Sequence, residues 1–257
     1  MINQDDLANF LLQNLGVASR SLIPTDNTDW TNPDVTLVCN GLSDGYRLIQ
    51  AASLLSSRGY IWSIQYPVFN PSSSQESQIV SGQGLQDLAG NPFPELTLLS
   101  PSAASNPLGA TAADYIVRQL MKLGITVTVV IQGIGDRLAN VSSGDYDMAV
   151  YSLGLPHFPN YICSIFDNGH AFNPFGYASA TLSQQCSSFA VENDPTQLKA
   201  LAFSLQVTLA TDLPVVPLYS NSMIQTYRTA DFPYVTSGAG PVVLYEPHPL
   251  TQLISIQ

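Results

Sequence analysis

Residues 111–153 constrain the fold more than any other part of the chain. Thr111 stands as the cap of a helix with apolar positions at 113, 116, 117, 120, 121 and 123, and Gly124 stops it. ITVTVVI (residues 125–131) is β-branched and predicts a strand. A short amphipathic segment, 136–141, follows. The acidic turn Gly144-Asp145-Tyr146-Asp147 then runs into a strand expected over 146–153, which stops at Gly154. Helix, strand, helix and strand joined by short links predict an α/β layer.

The flanking segments add helices and loops. Residues 5–15 have apolar positions at helical spacing, with Gly16 as the stop. Residues 21–43 read as loop. Asp44 is placed to cap a helix that ends at Gly59. Residues 60–68 look extended, and 70–84 read as a polar low-complexity loop. A strand is expected over 95–99 and a loop over 100–109. After a long loop, 155–180, Asp194 and Pro195 open a strong helix with a stripe of Leu198, Leu201, Ala202, Leu205 and Leu209. That stripe is core packing. Pro214 and Pro217 confine the next extended stretch to an edge or a bulge. From Ala230 onward the chain has no period, and no internal repeat is visible.

Composition excludes several partners. The 257 residues are 45% hydrophobic, enough for a substantial core. Nineteen acidic residues against eight basic ones give a net charge of −11. Phosphate binding needs clustered Lys and Arg, so nucleic acid and anionic membranes are excluded as partners. No apolar run reaches the ~20 residues that span a bilayer, and MINQDDLANFLLQNLG lacks the marks of a signal peptide.

The chain lacks the Gly-rich nucleotide motifs, a G-x-S-x-G elbow and zinc-spaced His or Cys. No cofactor or metal is expected. His157 and His170 share one loop, where solvent-exposed side chains are the expectation. Asp145 and Asp147 resemble paired acids, but capping and turn roles fit them better. Asn140-Val141-Ser142 matches a glycosylation sequon, a short pattern that chance often supplies. Three cysteines do not define a disulfide framework. Cys163 and Cys186 flank one loop-rich segment, and a bridge there would close a loop of roughly 20 residues, stabilising by about 3 kcal/mol. Buried free thiols are the alternative. The bridge is expected if the protein lives outside the cytoplasm.

Several segments together resemble family 5 extracellular solute-binding proteins, the peptide, nickel and oligosaccharide-binding components of ABC importers. They are INQDDL (2–7), Asp44 with AASLLSSRGY (51–60), GNPFPELTL (90–98), AADYIVRQLMKLGI (112–125), GDYDMA (144–149), Asn173 through Tyr177, the 194–212 helix, and DLPVVPL (212–218). Their order and spacing are more specific than any one of them. The resemblance implies a periplasmic-binding-protein type II-like α/β (mixed α+β) lobe, the C-terminal one, with a mixed sheet flanked by helices. Residues 1–229 would form the ligand-binding lobe, and 230–257 would return toward an N-terminal lobe that a fragment of this length lacks.

The resemblance also implies a function. The chain would be non-enzymatic, extracytoplasmic and monomeric, membrane-anchored as a lipoprotein in its full-length form. It would bind a small solute (an oligopeptide, a sugar or a related molecule) and pass it to an ABC permease. The strand after the G-x-Y-D turn runs to the cleft in this family, so Tyr151, Ser152, Leu153 and Gly154, with His157 and Phe158 beyond them, are the expected ligand-binding residues. Peptide binders place an aspartate near the position of Leu155-Pro156 for the ligand's amino group. Its absence here disfavours a free α-amine. It favours neutral or sugar-like ligands, with Tyr151 and Phe158 as stacking surfaces. A glycan-binding adhesion module, and less so a hydrolase, are the alternatives.

Overall fold

The computed structural model describes residues 1–13, 15–74, 78–167 and 173–221. His170 and the return segment expected from Ala230 lie outside them. The compact unit runs from Met1 to Ser220.

The chain opens with a helical turn, α1 (Gln4–Asp6), capped by Asn3 and continued as a wider turn over Leu7–Leu11. Strand β1 (Gly16–Ala18) follows. Helix α2 (Asp44–Ser57) is capped by Ser43 rather than Asp44. The Asp44 side chain reaches across to α3 instead, accepting from Gln119 at 2.9 Å and from Lys122 at 3.1 Å.

Residues 61–86 are more ordered than their composition predicts. β2 (Ile61–Gln65) pairs antiparallel with β5 (Gln83–Gln86), and β3 (Val68–Phe69) with β4 (Ile79–Val80). The stretch expected to be a polar loop therefore holds two strands. Trp62 fixes this ribbon by donating its indole N–H to the Leu123 carbonyl at 2.7 Å. That contact lies 61 residues away in sequence, so no local pattern announces it.

The α/β layer comes next: β6 (Leu96–Ser100), α3 (Pro107–Met121), β7 (Val127–Ile131), α4 (Ile134–Ser143) and β8 (Met148–Ala149). Its sheet is parallel with the order β7-β6-β8, and the antiparallel β2–β5 and β3–β4 pairs lie outside it. Leu98, Ala113 and Val150 form the core between sheet and helices. Helix α3 starts four residues before Thr111. Asn106 accepts the Gly109 N–H at 2.9 Å, and Pro107 occupies the first helical position, where a missing N–H costs nothing. Gly144 ends α4 at φ 75°, a left-handed conformation that suits glycine.

The strand expected over 146–153 is shorter. The Val150 N–H still bonds the Leu99 carbonyl at 2.9 Å, but the pairing goes no further. On the partner strand, Pro101 follows Ser100 and has no N–H to continue a ladder. Residues 151–154 thus leave the sheet at its carboxyl edge.

A second core is built from three helices: α5 (Tyr161–Phe166), α6 (Ala180–Val191) and α7 (Pro195–Asp212). Ile162, Phe166, Leu182, Ala202 and Leu205 are its most enclosed apolar side chains. Cys163 on α5 is bridged to Cys186 on α6, with Cα atoms 5.5 Å apart. Residues 19–35 are tied to α7 by Gln206. Its side chain is 1% exposed, accepts from Ser21 Oγ and the Asn32 N–H, and donates to the carbonyls of Trp30 and Ala202. After the two prolines, β9 (Tyr219–Asn221) pairs with β1. Among the described residues, no helix is long and apolar enough to cross a membrane.

Candidate functional site

Strand order alone locates a crevice. β6 is central, β7 lies on one side of it, and the chain then crosses back to place β8 on the other side. The connection that leaves β6 runs to β7 on one side, and the connection that leaves β7 runs back past β6 to β8 on the other. In open α/β sheets, ligands bind in the gap this reversal opens. Its walls are the loop that follows β6, ending at Asn106, and residues 150–154 after β8.

Asn106 and Ser152 face each other there, with Asn106 Nδ2 3.4 Å from Ser152 Oγ. The Asn106 carbonyl-side oxygen is already committed to capping α3, which fixes the direction of its amide. Tyr151 is half-buried and stands edge-on to Phe175, with centroids 6.0 Å apart and planes at 86°. Phe175 in turn stacks on Phe166 of the second core at 5.6 Å. Burial pushes the Tyr151 hydroxyl above its ordinary value, and the charge of Arg137 draws it partly back.

The other expected residues have mixed placements. Gly154 is exposed, with open space around its Cα. Leu153 packs against the α5–α7 core, as does Leu155. The His157 carbonyl accepts from Asn27 Nδ2 at 2.7 Å, and its Nε2 lies 3.5 Å from Asp29, a pair that is ionic only while the imidazole is protonated. Phe158 lies against the Phe189 ring at 5.6 Å and meets Trp30 edge-on at 5.3 Å. The structure thus brings Tyr151 and Ser152 to the crevice. It gives Leu153 and Phe158 packing roles and ties His157 to the 19–35 loop.

Asp147 is also accounted for, since its carboxylate accepts the Thr97 N–H at 2.7 Å beside β6. This is a strand-closing contact, in line with the turn role read from the sequence. Among the described residues, no cluster of three His, Cys, Asp or Glu is arranged to hold a metal ion.

Two residues were missed at the sequence level. Asn106 was passed over as part of a loop, although Asn followed by Pro is itself a helix-start signal. Arg137 lies unnamed within the 136–141 segment read as amphipathic, and it is buried, as is Val141 one turn later. An arginine on the same stripe as a core valine was the available signal.

No protein-family model matches the chain, and no curated protein sequence does either. Solved structures do. The oligopeptide-binding protein AppA of Bacillus subtilis, in complex with a nonapeptide, superposes with a TM-score of 0.66 at 17% identity, over 86% of this chain and 40% of its own. The murein tripeptide-binding protein MppA of Escherichia coli gives 0.64 at 16% identity, over 86% and 37%. The fold is that of one lobe of a family 5 solute-binding protein. A mannohexaose-bound oligopeptide-binding protein of Thermotoga maritima shares this lobe at 0.60 and 18% identity, over 86% and 39%. The chain therefore spans about 40% of the length of these proteins. At such identities, the likeness describes the lobe's architecture.

Proposed function

We propose that this chain is the ligand-binding lobe of the substrate-binding component of an ABC-type importer. It acts outside the cytoplasm, carries out no chemistry, and passes a small solute to a membrane permease. The crevice at the carboxyl edge of the β7-β6-β8 sheet carries this reading. It lies at a strand switch point flanked by Asn106, Tyr151 and Ser152, in a lobe whose fold is shared with binding proteins that hold peptides and oligosaccharides. A second lobe would close over it by hinge motion, the usual device of such proteins. Oligopeptides, sugars and related molecules are the solute classes. The 155–158 loop contributes no carboxylate of its own to receive a free α-amine. The Cys163–Cys186 bridge fits an oxidising compartment.

A thermal-shift panel of short peptides, their N-acetylated forms, oligosaccharides and small organic acids tests the reading. A ligand that binds the native state raises the melting temperature by mass action. The expected result is a saturable rise with one class. Turnover of an ester or glycoside at the crevice would replace the binding role with an enzymatic one.

A further inference from the structure

Each cysteine of the bridge stands one turn before an aromatic ring. On α5, Phe166 follows Cys163 by three residues, and on α6, Phe189 follows Cys186 by three. Side chains three apart on a helix share a face. Phe189 lies against Phe158, with centroids 5.6 Å apart and planes at 29°. Phe166 lies against Phe175 at 5.6 Å and 19°, and Phe175 meets Tyr151 edge-on at 6.0 Å. Two ring contacts thus separate the bridged helix from Tyr151.

The turn that carries Phe175 is itself held by Phe166. Asn173 Nδ2 donates to the Tyr177 carbonyl at 2.7 Å and closes the turn. Phe166 touches both of its rings, Phe175 in a stack and Tyr177 edge-on at 6.2 Å. Phe166 is 1% exposed, and a close-packed interior leaves such a ring no room to swing. Where Phe166 stands therefore sets where Phe175 stands, and Phe175 sets one side of Tyr151.

Phe166 is placed by α5, and α5 does not hold itself. Six residues are too few for a helix to keep its shape in water, and Asn160 makes no side-chain cap. Its ends are tied by hydrogen bonds, from the Tyr161 hydroxyl to the Leu22 carbonyl and from Ser183 to Asp167 just past the helix. Its middle is tied by the bridge, which keeps the Cα atoms of Cys163 and Cys186 5.5 Å apart. The far end of that tie is firm. Helix α6 has twelve residues, is capped by Ser179, and is joined to α7 by the bonds of Gln185 with Ser204 and Thr208.

We propose that the Cys163–Cys186 bridge is a positioning element for the candidate site. Through Phe166 and Phe175 it holds the Tyr151 ring in the orientation that receives the solute. A binding side chain is as precise as the packing that locks its rotamer, so residues that never touch the solute set its affinity. The inference rests on the solute-binding reading and deepens it.

The test follows the ring resonances of Tyr151 in the full chain carrying 13C-labelled tyrosine, assigned by their loss in Tyr151→Phe. Tyr60 and Tyr115 lie in other cores and serve as controls. Loss of the bridge, in Cys163→Ser with Cys186→Ser, should move the Tyr151 ring and leave both controls in place. The same loss in a Phe175→Leu background should move it less than about one-fifth as far. A Tyr151 ring that bridge loss leaves unmoved, or moves as far without Phe175, overturns the proposal. Phe166→Leu keeps the bridge and breaks the stack, so it decides the matter if the bridge-free protein does not fold. An unmoved Tyr151 ring in that variant overturns the proposal too. Titration with N-acetyltrialanine and maltotriose separates the two readings. Without the bridge, the probe that binds should bind at least five-fold more weakly. Equal affinity overturns the positioning role and leaves the solute-binding one. A moved ring in a protein that takes neither probe keeps the relay and counts against the solute-binding reading.

Discussion

Asn106 and Ser152 meet across the crevice at 3.4 Å, a contact long enough to be loose. Asn106 is held by its cap on α3, whereas Ser152 is exposed and makes no other side-chain hydrogen bond among the described residues. A loose pair at a strand switch point is easily parted by a ligand that offers better geometry. Ser152→Ala is therefore expected to change stability by less than about 0.5 kcal/mol. Ser152→Trp should fill the gap and weaken solute binding at least ten-fold. Calorimetric titration of both variants against the solute found by the panel checks this.

The disulfide joins α5 to α6 within the second core and spans 23 residues of sequence. The chain-entropy relation for a loop of this size gives about 3 kcal/mol. The double variant Cys163→Ser, Cys186→Ser should lose about that much in urea unfolding. Reductant should lower the wild-type midpoint and leave the double variant unaffected.

Gln206 satisfies both ends of its amide inside the protein and pins residues 19–35 to α7. Gln206→Met keeps the volume but orphans the Asn32 N–H and the Trp30 carbonyl. Each buried unsatisfied group costs about 1–3 kcal/mol, so a loss of about 2–4 kcal/mol is expected. Limited proteolysis should then cut first within 19–35, and cleavage elsewhere would contradict the latch role.

Tyr115 supplies a pH signature. Burial is the main cause that pushes its hydroxyl up to about 12, while the hydrogen bond from the Asn3 N–H works the other way. The unfolded chain releases this proton near pH 10. Between pH 10 and 12 the folded state thus holds more protons than the unfolded state, and stability falls as pH rises. Below pH 10 the group contributes no pH dependence. Tyr115→Phe should cost about 1 kcal/mol at pH 7, because the Asn3 N–H loses its acceptor. It should also flatten the alkaline decline, as read by denaturant midpoints at each pH. Tyr161, raised by burial, accounts for part of the slope that remains.

The layer 111–153 was legible because its elements are long, periodic and punctuated by glycine. The α7 helix was legible for a similar reason, since Asp194 accepts the N–H groups of Thr196 and Gln197 as its cap pattern requires. Helix α5 was not. Tyr161, Ile162, Cys163, Ile165 and Phe166 are all buried, so five of its six residues sit in the core and too little polar face remains to show a period. The β2–β5 ribbon was hidden because Trp62 and Leu123 meet only in three dimensions. Tyr151 and Ser152 could be nominated as candidates because the end of a strand is a readable place.

Native mass spectrometry of the protein in its complete form, purified gently, tests the central claim most directly. The account predicts a bound solute of defined mass that is lost on denaturation and reduced in Ser152→Trp. A protein that arrives without solute and gains no mass with peptides, oligosaccharides or organic acids would contradict it.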